Sequence, residues 1–563
     1  MAHVRPLLAI SAAVIILTVP FIRQPFNQDD RDFVEFARAS AVDITNLRVS
    51  NYTYDGRFFK SFRDPHGPLL TTYLGTSLRT GAAESESLYH GLYLIFPLIA
   101  GVSMYFLAGR FTRRPLIAAL LMIFTPGFLV LSHTLMDNLP GLALALAAAA
   151  LYVYGTDRND IKILAAAGIA IIVAALASYQ TLSIVPALAF YGIATKPRSF
   201  RKFLPFILIL AGGGLWLLAT YRIYGRLPAV SYRIRGQAYE WPGYGDDYGI
   251  QPRAFLTLLG GITVFPLSLL VAFMRKRIDL AAGAISLTLV TAWVLFADRV
   301  SGDADWQRRV LIILLTWTGL MIVYKLAETA VSAARRRNEA RMTVLMRKSG
   351  FVAAGAVDSW FLLVWFLSVL LGYFLFLIPY VSARHLLLLF PPIILIFVNE
   401  ADRFWRGRRA AGKIFIAATL VLTLGIALAA AIADYDSAAV YPAAAAELKQ
   451  ELQPEEAAGA TLYYRGEFGF RYYLEQQGFQ AMNDQTKLHA GDVIVFSALA
   501  SPARPWPDGN YAEIARLEPG DSFPFRVWNL WAGAGFYTNQ MGSLPLVFSQ
   551  ENEDQIIVYR YER

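Results

Sequence analysis

Leu7-Leu8-Ala9-Ile10-Ser11-Ala12-Ala13-Val14-Ile15-Ile16-Leu17-Thr18-Val19-Pro20-Phe21 carries no charge, and a few residues later the chain reads Asn27-Gln28-Asp29-Asp30-Arg31-Asp32-Phe33. An uncharged apolar run that opens into polar sequence reads as a first membrane helix followed by a loop at its outer end. Adjacent carboxylates beside such a helix are a poor packing choice, because each is strongly hydrated and repels its neighbour. They suit a site that takes a proton from a hydroxyl or holds a cation. The plainer alternative is a solvated loop start that caps the amphipathic run 32–41. The placement of the other polar residues decides between the two.

The 563 residues are 56% hydrophobic and only 17% charged, well below the charge content of a soluble domain, so the chain is an integral membrane protein. With no cysteine there is no disulfide framework, thiolate nucleophile or Cys-ligated zinc site. The net charge of +9 does not point to nucleic acid, because the basic residues cluster in short loops between apolar runs. The run 7–21 lacks a small-residue cleavage site and reads as an uncleaved helix.

On the ruler of about 20 apolar residues per span, about thirteen candidates emerge. They lie near 5–22, 88–109, 115–133, 137–154, 161–178, 180–195, 203–223, 253–273, 279–298, 307–326, 357–381, 385–400 and 412–433. With the N-terminus inside and the sides alternating, every strongly basic loop falls on the cytoplasmic face. These loops carry Arg110/Arg113/Arg114, Arg158/Lys162, 196–202, 275–277, 325–348 and 403–413. The segment after Ala433 then lies outside.

The same alternation gathers the unusual polar residues on the outer face. They are the loop 23–87 with Asp29 and Asp30, the turn 132–138 with Asp137, Tyr179-Gln180, the aromatic loop 224–253, the turn 298–305 with Arg299, and Ser382-Ala383-Arg384-His385. Ionisable groups at helix ends around one vestibule mark a functional site, although any single one also serves as an interfacial anchor. Within loop 23–87, Arg63-Asp64-Pro65-His66-Gly67-Pro68-Leu69 predicts a rigid bend before a second amphipathic stretch, 69–78. After Ala433 the pattern predicts a helix over 438–452, a strand over 460–464, a helix over 468–477 and a strand over 492–496, a small α/β domain outside the membrane. It has no phosphate-binding glycine loop and no metal-ligand cluster.

Taken in order, these motifs resemble the protein O-mannosyltransferase and lipid A aminoarabinose transferase group of polyprenyl-phosphate-sugar-dependent glycosyltransferases, which have the multi-span GT-C fold. The acidic pair Asp29-Asp30 stands where that group commonly has Asp-Glu, and His66-Gly67-Pro68 departs by one proline from its His-Pro-Pro bend. Met136-Asp137-Asn138-Leu139-Pro140 is similar to the group's Asp-containing turn. Arg384-His385 with Pro391-Pro392 resembles the start of its late helix. Gly469-Phe470-Arg471-Tyr472-Tyr473-Leu474 resembles a signature of the outer domain of bacterial members.

The fold so implied is mostly α: a polytopic GT-C-like membrane domain of about 13 transmembrane helices over 1–433, with a small extracytoplasmic α/β domain over 434–563. The implied location is the bacterial inner membrane. The implied reaction moves a sugar from a polyprenyl-phosphate carrier to a hydroxyl of a glycolipid, polysaccharide or protein, with membrane lipids but no nucleic acid as partners. Asp29 matches the group's first acidic residue and is the candidate general base; Asp30 orients the acceptor or helps to hold a metal. Asp137 positions sugar or acceptor, or simply caps its helix. His66 and His385 are candidate ligands or donors. A lipid phosphate needs cations at the interface, and Arg384, Arg299, Arg222, Arg226, Arg233 and Arg235 are available on that face. Tyr239 and Trp241, with Tyr232 and Tyr244, offer rings for stacking on sugar or for an interfacial belt. Some relatives bind a divalent cation, and no cofactor is certain here. The alternatives are a non-enzymatic carrier of lipid-linked sugars and an oligosaccharide ligase or polymerase. The chain shows no internal duplication of the kind transporters carry.

Overall fold

The computed structural model describes residues 3–43, 51–54, 57–60, 67–196, 198–225, 227, 250–274, 276–301, 306–346, 354–376, 380–404, 409–483, 485–501, 509–520 and 523–563. The described chain is mostly helical, with small sheets. Each of the thirteen apolar runs takes up helix. Among the described residues, eight helices are long and apolar enough to cross a bilayer, and Ile161–Ala177 and Val357–Tyr373 are shorter apolar helices. This is the composition of a multi-pass membrane protein.

The three remaining runs are broken, each at a proline. The run 115–133 divides into Pro115–Ile123 and Pro126–Val130, where Thr125 caps the second piece by accepting from the Phe128 amide at 3.3 Å. The run 180–195 enters through a 3-10 turn, Tyr179–Ile184, before Val185–Thr195 with Pro186 in its first turn. The run 253–273 divides into Ile250–Thr263 and Phe265–Phe273 at Val264, which is held at φ 55° just ahead of Pro266. A proline lacks the N–H that would continue the ladder, so each helix restarts there. The helix Arg277–Ser301 runs through the turn expected to open at 298.

Among the described residues, several of the basic loops and several of the polar segments sorted by sequence gather into two separate sets of contacts. Arg110 pairs with Asp157 at 2.7 Å and Asp358 at 3.1 Å, Arg114 with Asp402 at 3.1 Å, and Lys276 with Glu328 at 2.7 Å, joining the basic loops to one another. The loop 23–30, the turn 132–137 and the segment 380–385 meet one another instead.

The composition change after Ala433 marks no break in the helix. Arg409–Glu451 is one helix of 43 residues, and the helix expected over 438–452 is its continuation. Alanines on both sides of the change keep helix propensity high. At 1.5 Å per residue it is about 64 Å long, roughly twice a hydrocarbon core of about 30 Å. Beyond it a five-stranded sheet forms in the order Gln480–Ala481, Leu462–Arg465, Val493–Ser497, Ile556–Tyr561, Tyr511–Leu517. The first two pairings are parallel and the last two antiparallel. Buried Tyr464, Val493, Val495, Ile556 and Val558 pack with Phe470 and Leu474 of the helix Phe468–Gln476.

Candidate active site

Asp29 stands at the N-cap of Asp30–Val42, yet its side chain makes no capping hydrogen bond. Its carboxylate pairs instead with Nη1 of Arg384, with side-chain exposures of 20% and 10%. The Arg384 Nη2 donates to the Tyr380 hydroxyl at 2.8 Å, and Nη1 also lies 3.3 Å from the Met136 sulfur. Nε of Arg384 is buried without a hydrogen-bond partner. Arg384 belongs to the 3-10 segment Ala383–Leu389, which leads into Phe390–Phe404. The two groups singled out for base and phosphate chemistry therefore form one unit.

Asp30 is enclosed. It is fully buried, Oδ1 accepts from the Leu135 amide at 2.6 Å, and Oδ2 accepts from the Asn27 amide at 2.9 Å. Burial pushes its carboxyl well above the usual carboxylate range, against the lowering effect of those two amides. Asp30 thus ties the loop before the helix to the turn 132–137. Next to it Gln28 sits at φ 45°, an uncommon conformation for a non-glycine residue, with its amide donating to Asn27 Oδ1 at 2.8 Å.

The turn is held from several sides. The Tyr93 hydroxyl donates to the Met136 carbonyl at 2.6 Å. His133 stacks on Phe21 with ring centroids 4.4 Å apart, and its Nδ1 is 2.7 Å from Gln24 Oε1. Gln24 Nε2 donates to Asp434 Oδ2 at 2.9 Å, which leaves Oε1 as the acceptor and makes His133 Nδ1 the donor. Burial pushes the His133 imidazole down to about 3. Asp434, fully buried in the long helix, accepts on Oδ1 from the Tyr537 hydroxyl at 2.8 Å. Burial and the neighbouring Asp434 charge push that phenol well above its ordinary value.

The tyrosine-rich signature docks on the same loop. Gly469 lies so close to Phe26 that a Cβ there would come within 2.2 Å of the Phe26 carbonyl oxygen. The Phe26 amide donates to the Tyr473 hydroxyl at 2.9 Å, and Tyr472 meets the Phe26 ring edge-on with centroids 4.9 Å apart. Tyr472 and Tyr473 donate to Glu84 at 3.2 Å and Glu86 at 3.0 Å, so the signature bridges both ends of the outer loop.

Asp137 is buried at the N-cap of Asn138–Arg158, and its side chain makes no capping bond. His385 is buried beside the Tyr373 and Tyr380 rings, with centroids 6.0 and 5.6 Å away, and its carbonyl accepts from Gln180 Nε2 at 2.6 Å. His66, Arg226, Arg233, Arg235, Tyr239 and Trp241 lie outside the described residues. So does the side chain of Arg299, whose backbone belongs to Arg277–Ser301. The expected bend is described from Gly67, whose place beside Leu176 leaves no room for a side chain: a Cβ would come within 2.0 Å of the Leu176 carbonyl oxygen.

Asp29 and Asp30 do not form a joint cation site as placed, because one carboxylate faces Arg384 and the other faces two amides. Among the described residues, no three His, Asp or Glu side chains gather as metal ligands. Sequence reasoning passed over Gln24, Tyr380, Asp434 and Tyr537. Asp434 alone gave a signal, a carboxylate directly after the uncharged stretch 414–433.

No family model and no curated protein matches the chain. Among solved structures it is similar to ArnT from Cupriavidus metallidurans bound to undecaprenyl phosphate, with 16% identity, a TM-score of 0.44, and coverage of 88% of this chain and 94% of that one. It is also similar to the Archaeoglobus fulgidus oligosaccharyltransferase in its apo form, with 11% identity, a TM-score of 0.44, and coverage of 86% of this chain but 64% of that one.

Proposed function

We propose that the protein is a membrane glycosyltransferase that moves a sugar from a polyprenyl-phosphate carrier to a hydroxyl acceptor. The observation that carries this reading is the Asp29–Arg384 pair, a carboxylate and a guanidinium that meet where Ala383–Leu389 opens the apolar helix Phe390–Phe404. A lipid-linked phosphate reaches that depth without leaving the bilayer, and a guanidinium is a preferred partner for it. The buried Arg384 Nε, which has no hydrogen-bond partner, is available to a phosphate oxygen.

In the reaction, Asp29 takes the proton of the acceptor hydroxyl as that oxygen bonds to the anomeric carbon. The bond from that carbon to the phosphate oxygen breaks, and the phosphate leaves with the electron pair as polyprenyl phosphate. Arg384 holds the charge that gathers on the leaving phosphate. Asp30 positions rather than reacts, since each of its carboxyl oxygens already accepts a backbone amide that ties the loop to the turn. In the cell the site faces outward from the cytoplasmic membrane, with the N-terminus inside and 434–563 forming the outer domain, because the basic loops share the opposite face.

The test is polyprenyl-phosphate binding to full-length protein in nanodiscs. Arg384→Lys keeps the charge but cannot meet Asp29, Tyr380 and a phosphate together. Binding should weaken by about tenfold or more, the scale of one charged hydrogen bond. Binding by Arg384→Lys as tight as the parent's would remove Arg384 from the phosphate role.

A further inference from the structure

We infer that the C-terminal segment 536–539 is a positioning device for the Asp29–Arg384 pair, so that the last part of the chain is a working component of the site. This rests on the reading just given for that pair. The first observation is a short ladder. The Ala383 amide donates to the Phe536 carbonyl at 2.9 Å, the Asn539 amide to the Val381 carbonyl at 2.9 Å, and the Val381 amide to Asn539 Oδ1 at 2.7 Å. These bonds grip the backbone immediately before Arg384, between Tyr380 and Arg384, the two residues that share a hydrogen bond.

The second observation is independent of the first. Within the same segment, Tyr537 donates to Asp434, Asp434 accepts from Gln24, and Gln24 accepts from His133. Gln24 lies in the loop that leads to Asp29. His133 lies in the turn whose Leu135 amide holds Asp30 and whose Met136 sulfur touches Arg384. One four-residue stretch therefore grips the arginine's segment directly, and reaches the aspartate's loop through buried side chains.

The stretch is itself anchored. The Phe536 amide donates to the Val527 carbonyl at 3.0 Å, the Gly535 amide to the Leu544 carbonyl at 2.8 Å, and Phe536 and Tyr537 are buried. A guanidinium and a carboxylate acting on one substrate must be placed to within about half an ångström, and loop-borne groups need outside support to reach that. Tyr537 and Asn539 touch no reacting atom in this scheme; they act through Asp434, Gln24 and the Val381 backbone.

The experiment is hydrogen exchange on the full-length protein in nanodiscs, run beside transfer kinetics, for Asn539→Ala, Asn539→Asp and Tyr537→Phe. Asp keeps an oxygen where Asn539 Oδ1 stands, so Asn539→Asp is the conservative rescue. Asn539→Ala should speed exchange over 380–385 by about tenfold, the scale of one lost hydrogen bond, and Asn539→Asp should restore it. Tyr537→Phe should speed exchange over 22–31. In kinetics, Asn539→Ala should lower kcat/KM by about tenfold in the parent but add little in an Arg384→Lys background, because both changes act on one group. Unchanged exchange over 380–385 in Asn539→Ala, or full additivity with Arg384→Lys, would overturn the proposal. Faster exchange over 380–385 in Asn539→Ala, beside a parent that transfers no sugar, would uphold the grip of 536–539 and discard the glycosyltransferase reading instead.

Discussion

Asp29 and Arg384, 355 positions apart in the chain, meet as an ion pair in which the arginine also holds the Tyr380 hydroxyl. Neither side chain is spent on the local task its position suggests. Asp29 makes no side-chain capping bond to its helix, and Arg384 is buried rather than extended into solvent. Buried ion pairs are weak devices for stability, because desolvation offsets the attraction.

Asp30 should behave as a structural residue. Asn in its place offers one acceptor oxygen to two amide donors, so the Leu135 or the Asn27 amide loses its partner. Asp30→Asn is expected to cost about 1–3 kcal/mol of stability, read as a lower Tm of the purified protein. An unchanged Tm would show that the loop and the turn hold together without it.

His133 should make stability depend on pH. Its folded value of about 3 lies below the ordinary 6.5, because burial disfavours the imidazolium. The stabilisation is therefore complete above about pH 6.5 and is lost as pH falls toward about 3. His133→Gln removes this titration, so the variant should be less stable than the parent at pH 7, with the gap narrowing by pH 4. A gap in Tm that stays constant across that range would contradict the assignment.

Gly469 should tolerate no side chain. A Cβ there meets backbone, the Phe26 carbonyl, which cannot swing aside as a side chain would. Gly469→Ala should push Phe468–Gln476 off the loop that leads to Asp29, at a cost of about 1–3 kcal/mol. Parent-like Tm and turnover would mean that this docking does not set the site.

Much of this was legible in the sequence. Alternating basic and polar loops sort Asp29, Asp137, Gln180 and Arg384 onto one expected face, because membrane insertion sorts loops by charge. Helix breaks were less legible: Pro126, Pro186 and Pro266 each interrupt an apolar run that hydropathy reads as continuous. The end of the last span was hidden for the opposite reason, since alanine continues a helix whether or not lipid surrounds it. In sequence Gly67 is a departure from a proline bend, and only the Leu176 carbonyl packed against it in the fold gives the reason. Gln24, Asp434 and Tyr537 were out of reach, because each is ordinary in its own stretch and gains meaning only from partners about 100 to 400 residues away.

The central claim is that Asp29 accepts the proton when a sugar leaves polyprenyl phosphate. Its most direct test is release of polyprenyl phosphate from a labelled polyprenyl-phosphate sugar by full-length protein in liposomes with an extracted membrane acceptor. Asp29→Asn keeps volume and removes the base, so folded variant protein should release the carrier about 10²–10⁴ times more slowly than the parent. Release by Asp29→Asn at the parent's rate, or none by the folded parent, would contradict the account.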